Sequence, residues 1–296
     1  MKKVYLAGSG GMLGEAFYDL FNIDYNVLAS DIDVNENWLH FLDFRDFEKY
    51  YQDVNNFKPD YLFHLGAITS LEECDLDEDK AYSTNTIGVE NATIIANKLD
   101  IPIVYISTAG IFDGKKDLYD DWDIPNPLGH YARSKYNGEL YVEQNAKKYL
   151  ILRAGWMMGG GPKKDKKFIN KIYKQIIQNK NSINIVNDKL GTPTYTLDFA
   201  KNTKLLLEKN IWGKYNLVCE GVSSRLEVAK EILKIMNISD KINLNEVDSS
   251  FFQKEYFSQR PRSERLINKK LNLRNLNIMR DWKICLHEYL NLRFLK

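Results

Sequence analysis

Two side chains in the stretch HYARSKYNGEL could work as a unit: Tyr131 and Lys135, four residues apart. On a helix, residues at that spacing are neighbours on one face. A free phenol titrates near pH ~10 and is a poor acid or base at neutrality. An ammonium beside it stabilises the phenolate and draws that pKa toward the working range. The apolar run Ile101–Ser107, IPIVYIS, leads into Thr108, so Ser107-Thr108 closes it with two hydroxyls. A hydroxyl at a strand end can bind an oxygen that alternates between carbonyl and alcohol. The tyrosine–lysine spacing alone is also what a solvated helix face carries by chance. Its meaning depends on what else the chain supplies.

The N-terminal run Lys3–Ala7 breaks into Gly8-Ser9-Gly10-Gly11-Met12-Leu13-Gly14, and helical spacing follows from Glu15 to Phe21. Glycines 8, 11 and 14 permit a tight turn and let backbone N–H groups approach a pyrophosphate. The positive end of the helix that follows favours the same charge. Tyr25–Asp31 reads as a second strand closed by an acid. Asp31 there can accept hydrogen bonds from the adenosine ribose hydroxyls, and its charge repels a 2′-phosphate, which favours NADH over NADPH. Asp33 lies two residues on and competes for that role. Asp43 in LDFRD, with Phe44 after it, is a candidate for the adenine side, or a loop acid.

The elements that must position these groups alternate. Pro59–Ala67 reads as a strand after a turn, Ala81–Leu99 as a long helix, Ile101–Ser107 as a buried strand, His130–Lys148 as a helix and Tyr149–Ala154, YLILRA, as another buried strand. Strand–helix alternation at short intervals predicts an α/β fold with a doubly wound parallel sheet, Rossmann-like. Residues 1–155 would form the dinucleotide-binding domain. After Gly155 the rhythm changes. A helix is expected from about Phe168 to Asn179, a strand at Tyr215–Cys219, and helices at Arg225–Met236 and Trp282–Phe294. Residues 156–296 would form a smaller, interwoven C-terminal substrate-binding lobe, with the segment near 215–220 returning to the main sheet.

The 296 residues carry 41 Lys plus Arg against 40 Asp plus Glu, so no basic face marks a nucleic-acid binder. The one basic cluster, Lys163-Lys164-Asp165-Lys166-Lys167, reads as a solvated loop or as a contact to an anionic substrate. Three scattered cysteines, Cys74, Cys219 and Cys285, predict neither a disulfide framework nor a zinc site. No run approaches the ~18 apolar residues of a membrane span, and MKKVYLAGSGG lacks the long apolar core of a signal peptide. A cytoplasmic protein is expected. His64 reads as a core or cofactor-side residue, His130 as the start of a helix, and Glu15 as a first-turn helix acid.

Taken in order, the glycine turn, Asp31, the Ser-Thr strand end and YxxxK resemble the extended short-chain dehydrogenase/reductases. The match sharpens to their dTDP-4-dehydrorhamnose reductase branch, the nucleotide-sugar 4-keto reductases. It is carried by GSGGMLG (8–14), the segment 59–91 around LGAITS, VYISTAGIFDG (104–114), PNPLGHYARSKYNGE (125–139), LRAGWMMGGG (152–161), GTPTYTLDFA (191–200) and RPRSERL (260–266). The resemblance implies that Thr108, Tyr131 and Lys135 are the catalytic triad. Tyr131 would protonate the sugar carbonyl oxygen and Lys135 would also hold the nicotinamide ribose. Gly8, Gly11, Met12, Leu13 and Gly14 would line the pyrophosphate, with Gly66 and Ala67 along the cofactor channel. Thr69, Asn85, Trp156, Thr192 and Arg260 would stand on the substrate side, Asn85 supporting the active site. An indole offers a flat wall to a deoxysugar, and a guanidinium suits a diphosphate. Core packing of Trp156 and structural pairing of Arg260 are the alternatives. Some relatives bind magnesium at a dimer contact; no metal constellation is evident here, and a homodimer is an expectation of the resemblance alone.

One departure stands beside the triad. The branch usually has Asp-Tyr after Ser-Thr, and this chain has Ala109-Gly110. The reductase chemistry is kept and the identity of the sugar is left open. Dehydratases of the superfamily usually carry an Asp-Glu pair at this place, so dehydration is disfavoured. A nucleotide-sugar epimerase, with His130 or Cys74 as extra base, and a non-catalytic dinucleotide-binding subunit are the competing readings.

Overall fold

The structure is a computed structural model describing residues 1–178 and 180–295. Seven parallel strands form the main sheet. Six come from the first half of the chain: β1 (Lys3–Ala7), β2 (Asn26–Asp31), β3 (Leu39–Phe41), β4 (Tyr61–His64), β5 (Ile103–Thr108) and β6 (Tyr149–Ala154). The strand Gly213–Asn216 joins at the far edge, giving the order 213–216, β6, β5, β4, β1, β2, β3. Chain order reverses at β1, between β2 and β4. In an open parallel sheet the crevice beyond the strand carboxyl ends at such a reversal is where ligands bind.

Helices α1 (Met12–Phe21), α2 (Phe47–Phe57), α3 (Leu71–Leu76), α4 (Glu78–Tyr82), α5 (Gly88–Lys98) and α6 (His130–Asn145) connect or flank these strands. The short β3 and helix α2 carried no signal in the sequence reading. Asp46 caps α2, accepting from the Lys49 N–H at 3.2 Å. The expected helix 81–99 is broken by a π-helical turn at Ser83–Ile87. Helix α6 stops at Asn145 because Asn97 takes over there: its amide donates to the Asn145 carbonyl at 2.8 Å and accepts from the Lys147 N–H at 2.9 Å. The helix from Phe168 runs to Ile177; its expected end at Asn179 lies outside the described residues.

The returning strand lies two residues earlier than the expected Tyr215–Cys219. Residues 213–216 pair with Leu150–Arg153, while Val218 leaves the sheet. The Asn268 side chain then stands in for a strand: it accepts from the Val218 N–H at 2.9 Å and donates to the Val218 carbonyl at 2.7 Å. Small ladders build the rest of the C-terminal half. Trp156–Met158 pairs with Pro193–Tyr195, Ser182–Val186 with Asn243–Val247, and Leu190–Gly191 with both Ser223–Ser224 and Ser263–Glu264. One core cluster runs through both halves, joining Phe17 and Phe63 to Phe199, Leu206, Leu286 and Tyr289. Among the described residues no helix is long and apolar enough to cross a membrane.

Candidate active site

The glycine turn closes on backbone. Gly8 has φ +71°, and a Cβ there would lie 2.2 Å from the Gly66 Cα, so the ends of β1 and β4 touch. A Cβ on Gly14 would lie 2.0 Å from the Ser9 carbonyl oxygen, which is why α1 can pack so tightly on the turn. Gly11, where α1 begins, has no heavy atom within 4 Å of its Cβ position and no side chain caps the helix. An open, uncapped helix start beside a glycine-rich turn fits a pyrophosphate. Phe44 is a wedge beneath it, close to the Cβ positions of Gly8, Gly66 and Gly88. Asp31 is tied to the turn, accepting from the Gly10 N–H at 2.7 Å and the Asp33 N–H at 2.9 Å. Asp43 is held by the Arg45 guanidinium, which keeps its carboxyl below the usual range.

Thr108 and Tyr131 meet at the end of β5. A Cβ placed on Gly110 would lie 3.4 Å from Thr108 Oγ1 and 3.7 Å from Tyr131 Cε1. Burial pushes the Tyr131 phenol up to about 12, with the Thr108 hydroxyl opposing the shift. The expected lowering of the phenol by an ammonium is not seen here: burial is the largest influence on it. Lys135 is buried one turn further along α6. Its Nζ donates to the Ile106 carbonyl at 2.7 Å and lies 4.4 Å from the Tyr105 ring centroid. Burial lowers its pKa to about 7, and Glu139 opposes that.

Beneath this triad lies a buried ionic tie that the sequence reading missed. Glu139 and Arg153 are 0% and 1% exposed; Arg153 NH2 donates to Glu139 Oε1 at 2.5 Å and Nε to both oxygens at 3.1 Å. The Ser107 hydroxyl donates to Glu139 Oε2 at 2.5 Å. The tie joins α6 to β5 and β6. Glu139 following Lys135 by four, and an arginine inside the apolar YLILRA, were the signals available.

Other expected residues take different places. Asn85, in the π-helical turn and fully buried, accepts from the Ile68 N–H at 2.9 Å and donates to the Ile68 carbonyl and the Ser134 hydroxyl, both at 3.1 Å. It supports the site and presents nothing to a substrate. Thr192 is also 0% exposed and its hydroxyl accepts from the Leu266 N–H at 3.1 Å, so it holds a loop and does not face the pocket. Arg260 is committed to Glu72, at 2.7 and 2.9 Å, and to the Ser258 carbonyl at 3.0 Å. Thr69 accepts from Lys167 Nζ at 2.8 Å. Trp156 donates through Nε1 to Glu264 Oε2 at 2.7 Å, and the Arg225 guanidinium lies 3.6 Å from its ring centroid. The indole is therefore not a bare wall. Arg225 itself makes no side-chain hydrogen bond to a described residue. Gly66 and Ala67 follow β4 at the crevice, and Met12 and Leu13 open α1. His130 pairs with Glu78 at 3.1 Å, Cys74 is buried with its thiol pushed up to about 12, and burial holds His64 near 3. Glu15 is taken by Arg293 at 2.9 Å and Lys164 at 3.2 Å.

A glycine cradle at the reversal of a parallel sheet, with a hydroxyl, a phenol and an ammonium at the next strand end, defines an extended short-chain dehydrogenase/reductase. Residues 1–293 match the family described as RmlD substrate binding domain, and the chain belongs to that family, in the dTDP-4-dehydrorhamnose reductase-like branch. It is 28% identical to the spore coat polysaccharide biosynthesis protein SpsK of Bacillus subtilis, over 99% of this chain and 98% of that one. A dTDP-4-dehydrorhamnose reductase of Aggregatibacter actinomycetemcomitans is 31% identical over 72% of this chain and 70% of its own. The crystal structure of dTDP-4-dehydrorhamnose reductase from Bacillus anthracis in complex with NADP superposes with a TM-score of 0.90 at 27% identity, covering 99% of this chain and 100% of that one.

Proposed function

We propose that the protein is an NAD(P)H-dependent reductase of a nucleotide-activated 4-keto-6-deoxy sugar, working in the cytoplasm on glycan precursors. The observation that carries this reading is the meeting of Thr108 and Tyr131 at the end of β5, with Lys135 one helical turn away and the glycine cradle beside them. The cradle and Lys135 would hold a dinucleotide, which when bound would supply the hydride. Tyr131, kept protonated by burial, donates its proton to the carbonyl oxygen. Thr108 donates a hydrogen bond to that oxygen and holds it in place. Arg225, over the Trp156 ring, and Lys167, bonded to Thr69, would supply positive charge that suits the diphosphate of a nucleotide sugar. Asp31 at the end of β2 favours NADH. Association as a homodimer is part of the same reading and rests on the family resemblance.

The test is oxidation of NADH and NADPH against a panel of dTDP-, GDP-, CDP- and UDP-4-keto sugars. Turnover on one of them, reduced about 10²- to 10⁴-fold in Tyr131→Phe, is expected. Tight dinucleotide binding with no turnover on any member would move the reading to an epimerase that recycles its cofactor, or to a binding subunit. In the same assay Asp31→Ala should raise the ratio of NADPH to NADH use. An unmoved ratio would take Asp31 away from the ribose.

A further inference from the structure

After Thr108 the chain makes a tight turn, and Gly110 returns its N–H to Thr108 Oγ1 at 3.1 Å. With no side chain at Gly110, a gap about one methyl wide is left beside the reacting centre. Three groups border it. A Cβ at Gly110 would lie 3.4 Å from Thr108 Oγ1, 3.7 Å from Tyr131 Cε1 and 3.4 Å from Glu264 Oε1. The first two are the proposed catalytic groups. The third comes from the other end of the chain and has no assigned role.

Glu264 is firmly delivered. It lies on the two-residue strand Ser263–Glu264, paired in parallel with Leu190–Gly191. The neighbouring Ser263 hydroxyl donates to the Asp117 carbonyl at 2.7 Å, and the Leu266 N–H to Thr192 Oγ1 at 3.1 Å. Its carboxylate is oriented as well. Oε2 accepts from Trp156 Nε1 at 2.7 Å, and the indole is packed between contacts to Gly191 and Arg225. Oε1, the oxygen at the gap, accepts from no described residue. An ionised carboxylate only accepts hydrogen bonds. What it recognises must therefore bring a donor.

We infer that Glu264 is a specificity-determining residue of the sugar subsite, accepting a hydrogen bond from a hydroxyl or amino group on a ring carbon beside the carbonyl. The inference rests on the reductase reading and deepens it. Thr108 and Tyr131 hold the carbonyl oxygen, and Glu264 reads its neighbour through the space that Gly110 leaves. A sugar deoxygenated at that carbon leaves Oε1 desolvated and unpaired, which is the situation in which a polar site rejects an analogue most strongly.

The experiment compares two nucleotide-linked keto sugars that differ only in the hydroxyl beside the carbonyl, using the full chain and saturating reduced dinucleotide. Wild type should prefer the hydroxylated sugar by about 10- to 100-fold in kcat/KM, the range of a hydrogen bond to a charged group. Glu264→Ala should bring the ratio close to one, by a larger fall in kcat/KM on the hydroxylated sugar than on the deoxy one. Gly110→Ala, whose added methyl meets only ordinary contacts, should fill the gap and lower kcat/KM for the hydroxylated sugar more than for the deoxy one. A ratio unchanged in Glu264→Ala overturns the proposal, and so does an equal fall on both sugars, which would mean that Glu264 only orients Trp156. If wild type turns over neither sugar, the reductase reading is what fails. Calorimetric binding of the same two ligands to wild type and Glu264→Ala then decides on Glu264 by the same ratio.

Discussion

Lys135 is subject to opposing demands. In the proposed mechanism its ammonium reaches the ribose and the phenol, yet it is buried against the Ile106 carbonyl and the Tyr105 ring. Burial sets its pKa at about 7 in the folded protein against an ordinary value of 10.5. Between those two values the unfolded chain holds a proton that the folded chain has released, so this residue's effect on stability becomes more favourable as pH rises through that window. Its effect on dinucleotide binding runs the other way. An anion that needs the ammonium should bind more weakly as pH rises through about 7, and Lys135→Met should flatten that dependence. Fluorescence titration of the reduced dinucleotide from about pH 6 to pH 9 measures it. A wild-type affinity that stays level across this range would mean that Lys135 keeps its charge or does not meet the cofactor.

Helix α6 works because three elements are held to it. Its buried stripe, Ala132, Ser134, Lys135, Gly138, Glu139 and Val142, includes one glycine that the π-helical turn and β5 require: a Cβ on Gly138 would lie 2.8 Å from the Asn85 carbonyl oxygen and 3.0 Å from the Tyr105 hydroxyl. The Glu139–Arg153 pair, with Ser107, ties the helix to β5 and β6. Breaking one side of a buried pair strands the other charge in the core. Glu139→Gln or Arg153→Met should each cost about 3–5 kcal/mol of unfolding free energy. The combined Glu139→Leu/Arg153→Met change should cost less than either, since it leaves no charge unpaired. Urea denaturation gives all the values. A double variant that loses as much as the two singles together would show no coupling between the charges and would overturn the reading of the pair as a unit.

At the scale of the whole chain, the halves do not have separate interiors. Phe17 of α1 packs edge-on to Phe199 of the helix Thr196–Glu208, and the core continues to Leu286 and Tyr289 in the helix Trp282–Arg293. Within the C-terminal half, Asp198 and Arg280 add a forked ion pair at 2.7 and 2.8 Å. A core cluster that runs through both halves couples their unfolding. Far-ultraviolet circular dichroism and tryptophan fluorescence should therefore report coincident thermal transitions. Two separated transitions would show that the C-terminal lobe is a unit of its own.

The sequence by itself determined the parallel α/β sheet, the glycine turn and the Tyr131–Lys135 spacing, because these are local; the link from that pair to Thr108 came from the family resemblance. Buried strands read as apolar runs, glycines mark the turn, and the tyrosine–lysine pair is one helical turn long. The boundaries moved where side chains substitute for backbone, as Asn97 does after Asn145 and Asn268 does beside Val218. Only the tertiary structure decided which polar groups face the pocket. Arg260 is spent on Glu72 and Asn85 on Ile68 and Ser134, while Arg225 and Glu264 arrive from distant segments to meet at Trp156. A side chain's type and spacing do not reveal its partner when that partner is 100 residues away, as with Glu264 and Trp156, 108 positions apart. Hydrogen-bonding capacity is finite, and the fold alone determines which groups still have some left for a substrate.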